Sequence, residues 1–166
     1  MEKGGFTLIE VLVYLGLFAI IVGGAAVSAE SLMESAQRGA IEATLEEEGD
    51  FLIAKINWAL QGAQTFNAPA ANTTGSALSV SKWVPTSGGN PIAILLAAGA
   101  LTITEGIAPR EALSNSNVVA SGLTCTHAYA GGDNPESMSV SFTLSAKTPN
   151  GMSVSKTFST VSYLRK

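Results

Sequence analysis

The chain has 166 residues, of which 46% are hydrophobic and only 13% are charged, and its formal net charge is −4. This length accommodates one domain and one extended segment, because domains usually contain about 100–150 residues. The negative charge, without any cluster of lysine or arginine, argues against nucleic-acid binding, which requires a basic face. Cys125 is the single cysteine, which excludes an intrachain disulfide.

An almost wholly apolar run covers residues 6–29, and Glu10 is its only charge. Its uncharged part, residues 11–29, approaches the roughly 20 residues that cross the hydrocarbon core of a membrane as a helix. The small residues Gly4 and Gly5 precede the apolar run, whereas in a secretory signal peptide the small residues follow it. The order favours a retained membrane span, with a buried core helix as the alternative.

Placing a charged side chain within a bilayer costs roughly 2.5–3.5 kcal/mol. Glu10 should therefore have a binding partner or a functional role. Residues 5–10, Gly-Phe-Thr-Leu-Ile-Glu, resemble the processing motif of type IV pilins and of the pseudopilins of type II secretion systems. The resemblance implies that prepilin peptidase, a membrane aspartic peptidase, cleaves between Gly5 and Phe6. It also implies that the new amino terminus at Phe6 is N-methylated and that Glu10 serves subunit assembly.

After cleavage Glu10 would be the fifth residue of the mature chain, about one helical turn from the new amine of Phe6. An unpaired charge of either sign is unfavourable in lipid, so both groups should seek opposite charges. The carboxylate could be held neutral, pair within the chain, or pair with a neighbouring chain at a fixed axial offset. The resemblance favours the intermolecular pair.

Charge on the two sides of the run indicates its orientation. Lys3 precedes it, whereas the residues that follow it up to position 50 include seven acids and one base, Arg38. Because positive charge is kept cytoplasmic, we expect a cytoplasmic amino terminus and a head outside the cell (inner) membrane. The resemblance implies a later extracellular or periplasmic filament, with prepilin peptidase, other pilin or pseudopilin subunits and the membrane as partners. No cofactor is expected.

Helical signals continue beyond the run. Apolar residues at spacings of three, four and seven form one stripe: Ile41, Leu45, Leu52, Ile56, Ala59 and Ala63. The opposite face carries Glu42, Glu46, Asp50 and Asn57. No proline occurs before Pro69, so the pattern predicts one helix over residues 6–63, roughly 85 Å long. Its first half should lie in lipid and its second half against a globular head.

Glycines interrupt this helix at several points. Gly16, Gly23 and Gly24, with Ala19, fit close packing between membrane helices, and they equally fit a hinge that lets the helix stretch. Gly39 and Gly49 are two further positions that weaken the predicted helix.

The remainder of the chain has strand-like patterns. Residues 67–76 predict a loop, Leu78, Val80 and Lys82 alternate with serines, and residues 101–103 form a short apolar–polar–apolar run. The segment 92–99 fits a buried strand or a short helix equally well. A further predicted strand places four residues on one face: Val119, Ser121, Leu123 and Cys125.

The clearest hairpin joins residues 138–144 to residues 152–154 through the turn at residues 148–151, which contains Asn-Gly. Apolar positions in its second strand change from even to odd numbers before Val161 and Tyr163. A bulge or strand break near residues 159–160 would reconcile them.

These elements predict an α+β fold, pilin-like, in which a long amino-terminal helix packs against an antiparallel β-sheet head. The expected divisions are a leader peptide at 1–5, the transmembrane half of the helix at 6–29, its amphipathic half at 30–63 and the β-rich head at 64–166.

Candidate chemistry outside the helix is sparse. Cys125 and His127 share one side of a strand, but their Cα atoms should be about 6.5–7 Å apart, so packing is favoured over a nucleophilic pair. Residues 131–136 carry oxygen ligands that suit calcium, although a simple turn is favoured. Residues 46–48 predict a solvated acidic face or a subunit contact, and Trp58 and Trp83 predict packing residues.

The sequence therefore predicts a structural protein and not an enzyme. The favoured hypothesis is a minor pilin or pseudopilin that assembles through its first helix, with a head that decorates the filament or primes its assembly. The alternative is a membrane-tethered binding module that never polymerises.

Overall fold

The computed structural model describes residues 7–83, 88–129, 131 and 135–164. The predicted leader, Gly5 and Phe6 lie outside the described residues, as does the centre of the 131–136 segment. The described part contains one helix and nine strands: α1 (Leu8–Leu60), β1 (Ala63–Ala68), β2 (Thr73–Gly75), β3 (Ala77–Lys82), β4 (Ile92–Ala97), β5 (Ala100–Glu105), β6 (Glu111–Ala112), β7 (Val119–Ala128), β8 (Ser137–Lys147) and β9 (Ser153–Tyr163).

Helix α1 ends three residues before the predicted position 63. Gly62 adopts a left-handed conformation with φ of 73°, and Ala63 already belongs to β1. Glycine takes this conformation without a steric penalty, which is why helices commonly end beside it. The Lys82 ammonium donates to the carbonyl oxygen of Trp58 and so satisfies one of the free acceptors in the last turn.

The apolar stripe predicted on the second half of α1 is confirmed. Ile41 is half-buried, and the residues at the following stripe positions are buried in the core: Leu45, Leu52, Ile56, Ala59 and Ala63. Of the opposite positions, Glu42, Glu46 and Asp50 are exposed as predicted, whereas Asn57 is half-buried and contacts β9. Residues 41–164 thus form a compact unit in which the helix supplies one side of the core.

Two antiparallel sheets supply the rest of that core. One has the strand order β1-β3-β4-β5-β6 and the other β2-β7-β8-β9. Core side chains come from both sheets, including Val80, Ile94, Leu101, Val140 and Phe142. The predicted α+β class, with a long helix packed on antiparallel strands, is confirmed.

The predicted hairpin is also confirmed, as the pair β8–β9. In its turn the Thr148 N–H donates to the carbonyl oxygen of Met152 at 2.8 Å, and Gly151 has a φ of 82°. The ambiguous segment after Pro91 is a strand, β4, which a tight turn at Ala98 and Gly99 joins to β5.

The bulge predicted near residues 159–160 is wrong. Strand β9 pairs residue for residue with β8 from Ser153 to Tyr163, so its side chains keep one alternation throughout. Val161 and Tyr163 therefore lie on the outer face, 54% and 63% exposed. On the inner face the Thr160 hydroxyl donates to the Asn57 side chain at 2.7 Å. At this position β9 therefore makes a polar contact with α1 and not an apolar one.

The face predicted for Val119 and Ser121 is wrong, because a β-bulge lies in β7 and not in β9. Its register against β8 shifts between Ser121 and Thr124, and Gly122 has a φ of 61°. The inserted residue inverts the alternation. Val119 and Ser121 consequently point to solvent, while Leu123 and Cys125 are buried as predicted.

The loop predicted over residues 67–76 is too long. Strand β1 extends to Ala68 and pairs with β3, and β2 pairs with β7. Ala, Asn and Gly have little intrinsic preference for strands. Neighbouring strands satisfy their backbone N–H and C=O groups here, and this tertiary contact overrides the local preference.

Gly49 has a packing role that the sequence pattern does not reveal. It is buried on α1, and a β-carbon built on it would lie 2.1–2.6 Å from atoms of the Phe158 ring. That ring also stacks on Phe142, with 5.7 Å between the centroids. Glycine is needed at position 49, because a β-carbon there would prevent β9 from packing this closely on α1.

We expect Gly49→Ala to lower the free energy of unfolding by about 1–2 kcal/mol, because overpacking costs about 1–3 kcal/mol and helix propensity returns up to about 1. Gly39→Ala is the matched control, since nothing lies within 4 Å of a β-carbon there, and should show no loss. Chemical unfolding of the full chain in detergent measures both. Equal stability of the two variants would contradict the packing role.

Candidate assembly helix and the polar groups of the head

The first part of α1 presents apolar side chains to its surroundings. The large exposed residues up to position 33 are Leu8, Ile9, Val11, Leu12, Val13, Tyr14, Leu15, Leu17, Phe18, Ile20, Ile21, Val22, Val27, Leu32 and Met33. The helix is long and apolar enough to cross a membrane, and none of its most apolar window is buried. This exposure favours a membrane span over a buried core helix. Such a surface requires lipid or neighbouring apolar helices around it.

Glu10 lies in the first turn of this helix. Thr7 directly precedes the helix, and its carbonyl oxygen accepts from the Glu10 N–H at 3.1 Å. A negative charge in the first turn interacts favourably with the helix dipole. Glu10 therefore stabilises the start of the helix at the same time as it presents a carboxylate.

Tyr14 is a neighbour of Glu10 that sequence reasoning missed. Its hydroxyl donates to Oε1 of Glu10 at 3.5 Å, from one helical turn further along. The signal was the spacing of four residues, which places both side chains on one face. A carboxylate has about four acceptor positions, so a single hydroxyl leaves most of its capacity for another donor.

The glycines of the first part of α1 have open space beside them. Nothing lies within 4 Å of a β-carbon built on Gly16, Gly23 or Gly24. The Ser28 hydroxyl donates to the carbonyl oxygen of Gly24 at 3.0 Å. Small residues on an exposed face allow another helix to approach closely. The packing and hinge interpretations of these glycines both stay predictions.

Two of the three acidic residues at 46–48 contact other segments of the head. Glu46 forms an ion pair with Lys156 on β9, and Oε1 of Glu48 accepts from the backbone N–H of Asn115 at 2.6 Å. Glu46 remains exposed, as expected of a solvated face, whereas Glu48 is half-buried. Both contacts attach strands and loops of the head to α1.

Cys125 and His127 lie on the same face of β7, as predicted, and both are buried. They do not form a nucleophilic pair, because both ring nitrogens of His127 have other partners. Nδ1 lies 3.1 Å from the carbonyl oxygen of Pro69, and Nε2 lies 3.3 Å from Oε2 of Glu136. His127 thus connects three segments of the head, a role that its position near a strand end does not indicate.

The two tryptophans differ. Trp58 is partly exposed, and the Lys82 ammonium lies 4.1 Å from its ring centroid. Desolvation by burial lowers the pKa of Lys82, and the charge of Glu105 partly opposes this shift. Trp83 is 72% exposed, so the packing role predicted for it is wrong.

Metal-binding clusters are not found among the described residues, where no group of three or more His, Cys, Asp and Glu side chains converges. Residues 132–134, the centre of the segment with calcium-type ligands, lie outside them. The calcium interpretation of residues 131–136 therefore stays a sequence hypothesis.

Comparison with known proteins gives one match. Residues 1–26 match the prokaryotic N-terminal methylation motif. No curated protein and no solved structure matches the chain at a significant level. The match includes Glu10, the residues of the expected cleavage site and most of the apolar run, so it supports the family that the sequence resembles.

Burial of Cys125 generates a prediction about pH. Desolvation raises the pKa of its thiol to about 11. Because the folded pKa lies above the ordinary value of 9.0, this group contributes stability that is complete below about pH 9 and is lost as the pH rises to about 11. We expect a loss of at most about 3 kcal/mol, since the shift is about two units at about 1.4 kcal/mol each, and no thiol alkylation of the native protein at pH 8.

Chemical unfolding of the full chain from pH 8 to 11 measures the effect. Cys125→Ala is the control, since it should be less stable at pH 8 yet lose less stability as the pH rises. A pH dependence that is the same in both proteins would contradict the assignment to Cys125.

Proposed function

We propose that this chain, whose first 26 residues carry the prokaryotic N-terminal methylation motif of type IV pilins and pseudopilins, is a minor pilin or pseudopilin. It would be a structural subunit of a type IV pilus-like or type II secretion filament. One observation carries the proposal: the motif leads directly into a helix whose most apolar window is entirely exposed. That arrangement suits a helix which first lies in a membrane and later packs among identical helices.

In this proposal prepilin peptidase cleaves between Gly5 and Phe6, and Phe6 becomes an N-methylated amino terminus. The leader is residues 1–5, and residues 6–29 form the transmembrane half of the helix. Residues 30–63 continue as the amphipathic half, and residues 64–166 form the head. The charge distribution supports a cytoplasmic amino terminus, a single-pass orientation in the cell membrane and a head outside it.

Assembly follows from the same side chains. When lipid is replaced by neighbouring subunits, apolar surface packs against apolar surface, and the small residues permit close approach. The Glu10 side chain is unfavourable among apolar helices unless a cation lies opposite it. The Phe6 amine of a neighbouring subunit supplies that cation, and the incomplete hydrogen bonding of Glu10 by Tyr14 supports such a pair. The pair would set the axial offset between subunits.

The head carries no indication of catalysis in its described part. The candidate nucleophile Cys125 is buried, and the ring nitrogens of His127 contact a backbone carbonyl and Glu136. A head of this kind decorates the filament surface or primes its assembly. In the alternative, a tethered binding module, the same helix would remain an anchor and its amino terminus would need no processing.

Processing is tested by co-expression of the full precursor with a prepilin peptidase. Mass spectrometry should then show a mature chain that begins with N-methylated Phe6. Gly5→Val should leave the full precursor, because the bulky side chain blocks cleavage, whereas Gly39→Val is the control and should be cleaved normally. If the wild-type chain keeps residues 1–5 in the presence of active peptidase, the proposed function is wrong.

The assembly role of Glu10 is tested by Glu10→Ala. We expect normal membrane insertion and a decrease in filament incorporation of about tenfold or more, which corresponds to a loss of about 1.4 kcal/mol. Glu10→Gln keeps the polar contacts but not the charge, and it should share the defect. Glu30→Ala, an exposed acid on the same helix, is the matched control. Sheared filament and membrane fractions are compared by immunoblot, and undiminished incorporation of Glu10→Ala would exclude the role.

A further inference from the structure

The described sheets have four edges, and one of them is unlike the others. Strand β1 is irregular, with two register shifts against β3, while β2 and β6 have only three and two residues. Strand β9 has 11 residues, is unbulged and pairs only with β8. In an antiparallel edge strand every second residue directs its N–H and C=O groups away from the sheet. The edge of β9 is therefore a row of unused backbone donors and acceptors.

Natural proteins normally protect such an edge with charges, prolines or bulges. Strand β9 contains no proline, and its only charged residue, Lys156, is engaged by Glu46. Its outer face carries serine and threonine up to residue 159 and then Val161 and Tyr163, which are exposed. These two side chains also line a cleft beside Leu60–Ala63. An unprotected edge beside exposed apolar side chains is suited to an incoming extended strand.

The direction of α1 excludes the simplest partner. Three contacts join the helix to β9 in increasing order along both elements: Glu46 with Lys156, Gly49 with Phe158 and Asn57 with Thr160. The second half of α1 and β9 therefore run in the same sense. Antiparallel pairing between the β9 strands of two copies would reverse one helix relative to the other. Subunits of the proposed filament, in which the second halves of α1 run in the same sense, cannot be arranged in this way.

The other edge of the same sheet has the required direction. Strand β2 is antiparallel to β7, β7 to β8 and β8 to β9, so β2 runs opposite to β9. It also lies at the correct level. Thr74 pairs with Thr126, Thr126 with Ser139, and Ser139 with Val161. A neighbouring copy could place its β2 beside Val161, continue the sheet and keep both helices parallel.

We propose that β9 of one subunit pairs antiparallel with β2 of the next copy, around Val161 and Thr74. The proposal rests on the proposed function, because only assembly brings the heads of parallel subunits side by side. Pairing with a three-residue strand is weak by itself. It becomes effective once the packed membrane helices raise the effective concentration of one head beside the next. Such a contact is heterologous and repeats from copy to copy, as a filament requires.

The test is disulfide cross-linking of the full chain in membranes that contain prepilin peptidase. Thr74→Cys and Val161→Cys are produced in separate copies with different tags and are then co-expressed. Both residues lie on the outer face of the sheet, and paired strand positions are about 5 Å apart, which permits a disulfide. Wild type controls for the buried Cys125. Thr74→Cys with Ser153→Cys is the matched control, because Ser153 lies roughly 26 Å from Val161 along β9.

We expect a mixed dimer from Thr74→Cys with Val161→Cys, about tenfold more abundant than from the Ser153→Cys control, as about 1.4 kcal/mol of preference for one register would give. A dimer from Val161→Cys alone would show β9 paired with β9 and overturn the proposal. A cross-link between Ala19→Cys copies, on the exposed membrane helix, tests assembly separately. If that product forms and the mixed dimer does not, the edge pairing is wrong while assembly stands. If neither forms, the proposed function fails and the edge pairing fails with it.

Discussion

The structure depends on the removal of the apolar side chains of α1 from water. Up to about residue 33 α1 exposes large apolar side chains, whereas from Leu45 onward one face of the same helix is buried in the core of the head. Each square ångström of apolar surface removed from water stabilises by about 25 cal/mol, so neither part of α1 is suited to the environment of the other. The first part requires lipid or other helices. The second part already has its partner in the two sheets.

Contacts between α1 and the head are specific as well as apolar. The absence of a side chain at Gly49 admits the ring of Phe158, and two polar contacts, Glu46 with Lys156 and Asn57 with Thr160, hold β9 along the helix. These contacts fix the direction of β9. They also relate it to the direction of the second half of α1. The free edge of β9 therefore runs in the same sense as the second half of α1.

The polar groups inside the head serve its structure. His127 joins Pro69 and Glu136 across three segments, Glu48 holds the backbone of Asn115, and Cys125 is a buried thiol whose pKa is raised. A buried polar group without a partner is costly, and His127 and Glu48 have found partners within the chain. Within the described head these groups therefore serve folding, while Val161 and Tyr163 of β9 and Trp83 are exposed.

The sequence by itself determined the apolar run with Glu10, the amphipathic continuation of the helix, the α+β class and the hairpin at residues 148–151. Each of these depends on residues close together in the chain, whose periodicity or turn chemistry is local. Only the tertiary structure decided the bulge at Gly122, the unbroken alternation of β9, the strands within residues 67–76 and the exposure of Val161, Tyr163 and Trp83. These features depend on which strand supplies a hydrogen-bond partner and on what α1 presents opposite each side chain. Such partners are distant in sequence, so no local pattern could specify them.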